Sequence, residues 1–122
     1  EIVSNSQFTN PNIIKIVNNQ KGEVLYCSRS PIPYCKKFSK KVGAKRIFAI
    51  FAFRYNFLKK YNKLKISRLE QIESCGQNRV CDRTKGMYVA PYKYKPSFSV
   101  DTYSDLKLVN KLIVNDPFTL KY

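Results

Sequence analysis

Cys27, Cys35, Cys75 and Cys81, together with a long run of cations, are the residues whose types and spacing could do chemistry in this chain. The cysteines fall in two close pairs. Zinc sites built on mixed cysteine and histidine are excluded, because the chain contains no histidine. The same absence removes Ser-His and Cys-His nucleophile pairs and His-based ribonuclease chemistry. An all-thiolate zinc site would need tighter pairs than C-x7-C and C-x5-C, so no metal and no cofactor is expected. The remaining chemistry is oxidation. All four cysteines are expected in two disulfides, which implies an oxidising compartment and a secreted protein. Local and crossed pairings both remain open.

The cations point to a partner. Between Val24 and Leu69 there is no acidic residue, while the net charge of the 122-residue chain is +15. A one-signed block repels itself in a compact fold, and that cost is tolerated where the charge has a use. Lys36, Lys37, Lys40, Lys41, Lys45 and Arg46, beside Lys59, Lys60, Lys63, Lys65 and Arg68, form the expected anion-binding surface. An acidic protein, a glycan, a nucleic acid or an anionic lipid surface would satisfy it. Lysine outweighs arginine, so base-specific readout is not indicated. Tyr88, Tyr92 and Tyr94, interleaved with Lys93 and Lys95, form a candidate aromatic contact surface. Two carboxylate pairs at helical spacing, Glu70 with Glu73 and Asp101 with Asp105, read as caps or surface charge partners rather than as catalytic groups.

The elements that must position these residues read as mainly helical. The length suits a single domain over 1–122, with residues 1–9 frayed. Asn10-Pro11 opens, and Lys21-Gly22 closes, a short helix over about 11–21, with a strand as the rival reading because its apolar residues are β-branched. Ser30-Pro31 opens a second helix that Gly43 closes, with Cys35 facing inward and the lysines outward. Residues 44–74 follow one helical stripe without proline or glycine, with a strand over 46–53 as the rival reading. Residues 75–81 form a turn-rich loop. The segment 87–100, broken by Pro91 and Pro96, is a Pro/Tyr-rich extended arm. A last helix runs from about Thr102 to Val114, opened by a capping box of Thr102 and Asp105, with Leu106, Val109, Leu112 and Ile113 as its inward face. The fold class is therefore a small disulfide-stapled helical domain, as a monomer or weak oligomer. The apolar run 47–53 is too short to span a bilayer.

The segment Cys27-Ser28-Arg29-Ser30-Pro31-Ile32-Pro33-Tyr34-Cys35, followed by the pair Cys75 and Cys81, resembles the aphid BICYCLE family of secreted salivary proteins. The resemblance implies a non-enzymatic effector that manipulates a host. The expected function is thus a secreted, mature interaction protein that engages an acidic partner through a basic helical face. The alternative is a glycan- or nucleic-acid-binding, cytokine-like or antimicrobial protein.

Overall fold

The structure, a computed structural model, describes residues 1–48, 50–84, 86–90, 92, 100–116 and 119. The chain, expected to form one domain, divides into two compact units, Glu1–Tyr92 and Lys93–Tyr122. The first unit is mixed α/β, not a helical bundle. Its helices α1 (Asn5–Thr9), α2 (Tyr55–Tyr61), α3 (Arg68–Glu73) and α4 (Gln77–Arg83) accompany strands β1 (Lys15–Asn18), β2 (Val24–Ser28) and β3 (Lys45–Arg46). The sheet is antiparallel, in the order β2-β1-β3. In the second unit α5 spans Tyr103–Ile113.

Residues 11–21 are not a helix. Ile13, Ile14, Ile16 and Val17 are β-branched, and a pleated surface suits them better than a helix does. Lys15 pairs with Ser28, and Ile16 with Cys27. Gly22 adopts the left-handed conformation anticipated for it, with φ 82°, but uses it in the β1–β2 turn. There the Asn19 side chain accepts from the backbone N–H groups of Lys21 and Glu23, both at 3.0 Å.

The predicted helix over 30–43 is also absent. Ser30 and Ile32 each precede a proline, which pushes both residues out of the helical region. Only a 3-10 turn forms, Lys40–Val42, closed by Gly43 at φ 64°. The single long helix over 44–74 is broken twice. Lys45–Arg46 pairs with β1 instead, and a second break falls before Ser67. Ser67 opens α3 with a capping box whose other member is Glu70. The loop expected over 75–81 is mostly α4.

Two small apolar clusters hold the first unit. One packs Ile16, Val24, Cys27 and Cys75 with Ile14, Ile47, Cys81, Met87 and Val89 around them. The other packs Ile2, Phe8 and Ala44 with Cys35, Phe38 and Val42. Residues 1–9 are therefore anchored rather than frayed. Ile2 donates its N–H to Ala44 O at 2.8 Å, and the Phe8 ring lies 5.1 Å from that of Phe38. The last helix matches expectation: Thr102 caps it, and Asp105 completes the box. Its apolar residues Leu106, Leu112 and Ile113 are exposed, and only Val109 is half-buried among the four expected to face inward.

Candidate functional site

The densest polar arrangement forms where β2 ends. Glu73, the last residue of α3, accepts from Tyr26 Oη at 2.7 Å, from Ser28 Oγ at 2.8 Å and from the Arg29 backbone N–H at 2.8 Å. Burial works against ionisation of this carboxyl. The hydrogen bonds from Arg29, Tyr26 and Ser28 outweigh it, so the group titrates below the usual carboxylate range. The same hydrogen bond pushes the Tyr26 phenol up to about 12.

Arg29 answers from the other side. Its guanidinium donates to Glu73 O at 2.9 Å, to Ser74 O at 3.1 Å and to Pro11 O at 2.9 Å. It thereby covers carbonyls that the end of α3 leaves unpaired. Lys15 is fully buried, and its ammonium donates to Asn10 O and Arg29 O. Desolvation lowers its pKa, with Glu73 opposing the shift.

Asn78, also fully buried, finishes the edge of β2. Its side-chain amide accepts from Cys27 N at 3.1 Å and donates to Cys27 O at 2.9 Å, as a neighbouring strand would. Further back along the same edge, Val24 N donates to Met87 O, and Val89 N to Gly22 O. A second tie joins α3 to α4. Arg79 donates to the Glu70 carboxylate from Nε at 2.7 Å and from Nη2 at 2.5 Å, while its guanidinium sits 5.1 Å from the Tyr61 ring centroid.

Chemically these groups are saturated. Glu73, Lys15 and Arg29 spend their polar atoms on the fold, so their role is to fix the segment that leaves β2 at Ser28. Ser30 and Pro31 then emerge exposed, followed by exposed Lys36, Lys37, Lys40 and Lys41. A cleft of about 240 Å³ lies elsewhere, lined by Glu23, Val24, Leu25, Cys81, Thr84 and Met87 among others.

The residues expected to bind an anion do not share one helical face. Lys36 and Lys37 lie in irregular chain, and Lys40 and Lys41 in the 3-10 turn. Lys45 and Arg46 form β3, where Lys45 Nζ donates to Asn18 Oδ1 at 2.6 Å. Lys59 and Lys60 end α2, Lys63 and Lys65 follow it, and Arg68 begins α3. Of the aromatic set, Tyr88 is exposed and bridges Glu23, and Tyr92 stacks on Phe48 at 5.2 Å; Tyr94 lies outside the described residues, as do Lys93 and Lys95. Glu70 is the cap the spacing suggested, whereas Glu73 is an internal hub rather than a surface charge. Sequence reasoning missed Lys15, Tyr26, Ser28 and Asn78, and it misread Glu73. The one local signal was Ser67-x-x-Glu70, which places the start of α3.

The four cysteines are free thiols. Cys27, Cys75 and Cys81 gather in one cluster and Cys35 in the other. No disulfide staples the fold. Among the described residues no group of three or more His, Cys, Asp or Glu side chains could hold a metal ion, and no helix is long and apolar enough to cross a membrane.

Residues 1–87 match the cytidylyltransferase family, and the chain belongs to it. Among curated relatives, the 3-deoxy-manno-octulosonate cytidylyltransferase of Nitrosococcus oceani is 35% identical over 93% of this chain. The corresponding protein of Thermodesulfovibrio yellowstonii is 37% identical over 92% of it. A solved CMP:2-keto-3-deoxy-manno-octonic acid synthetase in complex with CTP superposes with a TM-score of 0.67 at 31% identity, over 92% of this chain and 46% of its own. The chain spans about half the length of the curated relatives it matches, 47% and 46% for the two named.

These matches overturn the reading as an aphid salivary effector, which rested on two cysteine segments alone. They also overturn the non-enzymatic function, since the family is one of transferases. The host-directed acidic protein or polyanion goes with it: the solved relative holds a nucleotide. Secretion was inferred from paired cysteines, and it falls with free thiols and with the family.

Proposed function

We propose that this protein acts in the CTP-dependent activation of a 2-keto sugar acid of the 3-deoxy-manno-octulosonate type. The similarity to cytidylyltransferases of that substrate, sustained over 92–93% of the chain in the two relatives named above, carries the reading. In the proposed reaction a hydroxyl of the sugar acid attacks the α-phosphorus of CTP. The bond to the β-phosphate oxygen breaks, pyrophosphate leaves, and the hydroxyl proton passes to solvent or to a base. Charge gives the clearest physical support. A triphosphate and a carboxylate must be brought together, and their mutual repulsion has to be offset by cations. The exposed Lys36, Lys37, Lys40 and Lys41 follow closely on the segment that Glu73 and Asn78 anchor. Free thiols and a nucleoside triphosphate substrate both fit a cytoplasmic setting.

Incubation with CTP, magnesium and 3-deoxy-manno-octulosonate tests the proposal. Pyrophosphate release that requires both substrates, with a product heavier than the sugar acid by one cytidylyl group, is the expected result. Release that proceeds equally well without the sugar acid, or no release at all, would overturn it.

A further inference from the structure

Three of the four thiols meet at one place, and nothing in the proposed transfer reaction uses them. Cys27 lies on β2 and is fully buried. Cys75, at the junction of α3 and α4, is 2% exposed. Cys81, on α4, is half-buried. All three belong to the same apolar cluster: Cys27 and Cys75 are among its buried residues, and Cys81 packs against it. Asn78 holds the backbone of Cys27 against α4, so β2 and α4 are fixed together where these sulfurs meet. Cys81 differs from the other two in one respect. It lines the 240 Å³ cleft beside β2, which gives a small oxidant a route to its sulfur.

We propose that Cys81 and Cys27 form a peroxide-sensitive pair, with Cys81 as the oxidised thiol and Cys27 as the resolving one. The Cys81 thiolate attacks hydrogen peroxide, becomes a sulfenic acid and releases hydroxide. The Cys27 sulfur then attacks the Cys81 sulfur. The S–O bond breaks, water leaves, and a Cys27–Cys81 disulfide remains, so that one peroxide is reduced for two thiols oxidised. Cys27 lowers the Cys75 thiol, to about 7, as well as that of Cys81, so it is access through the cleft that singles out Cys81 as the oxidised thiol. Cys35 sits in the other cluster and takes no part.

The fully reduced protein, exposed to hydrogen peroxide, alkylated and digested without reductant, provides the test. Mass spectrometry is expected to find a peptide pair linked through Cys27 and Cys81, reversed by dithiothreitol, with Cys35 still alkylated. The link closes a long loop, so the melting temperature of the oxidised form is expected to rise by roughly 5–10 °C. In Cys81→Ser, a near-isosteric change at a half-buried position on the rim of the cluster, both the link and the shift should vanish; in Cys35→Ser both should persist. A Cys27–Cys75 link, a disulfide through Cys35, or oxidation of Cys81 to sulfinic acid without a link would each overturn the assignment.

Discussion

Asn78→Ala is expected to destabilise the protein by about 3–5 kcal/mol, the sum of two orphaned backbone groups and a small cavity. The reasoning is local. Cys27 N–H and C=O lie at the edge of the sheet with no strand beside them, and the Asn78 amide supplies both missing partners at 3.1 and 2.9 Å. Because Asn78 is fully buried, water does not replace it without a structural opening. Each unpaired buried group costs about 1–3 kcal/mol. A small domain has only about 5–15 kcal/mol in total, so the melting temperature should fall by roughly 15–25 °C. Asn78→Asp keeps the acceptor but loses the donor and buries a charge, and should be no better. Urea denaturation of both variants checks this. A loss below about 1 kcal/mol for Asn78→Ala would mean that the amide is not the partner of β2.

The second large effect is expected at Glu73. Glu73→Ala removes the acceptor for Tyr26, Ser28 and the Arg29 backbone at once, and should cost about 2–4 kcal/mol. Glu73→Gln keeps an acceptor oxygen and should cost less. The pH dependence has a definite sign. The folded carboxyl is held below its ordinary value of 4.5, so its contribution is fully present above about pH 4.5 and is lost as pH falls through the lowered folded value. Glu70, lowered chiefly by its hydrogen bonds to Arg79, acts in the same direction over the same acid range. The acid limb of the stability curve should therefore be shallower in Glu73→Ala than in the parent protein, while the difference above pH 5 stays constant. Parallel acid limbs in the two proteins would show that Glu73 does not titrate in the way its partners require.

Local signals carried part of the fold. The Thr102 and Asp105 box with an apolar stripe behind it marks α5 unambiguously, because both features lie within one helix. The left-handed glycines were legible as positions, yet Gly22 closes a hairpin turn and not a helix, since φ alone does not say which element precedes it. The strands were legible only as rival readings, for a different reason. β1 and β2 are only 4 and 5 residues long, and their stability comes from each other and from Asn78, about 50 residues further on. Residues 44–74 kept a helical period by coincidence of aromatics, and the break at Ser67 was written in its capping box. For the proposed site, only the sign of the charge was visible, and a run of lysines does not by itself say which anion it would meet. Glu73 and Lys15 were illegible because their importance arises from burial, which no local pattern records. The cysteines were read by compartment logic, whereas the fold packs three of them as thiols in a core.

The proposed function depends on CTP being the nucleotide that this member of the cytidylyltransferase family uses. Isothermal titration of the protein with each of the four nucleoside triphosphates in the presence of magnesium tests it most directly. Saturable heat with CTP, and at least a tenfold weaker response to UTP, ATP and GTP, is the predicted result. Equal affinity for all four, or no binding of CTP at concentrations where the others bind, would contradict it.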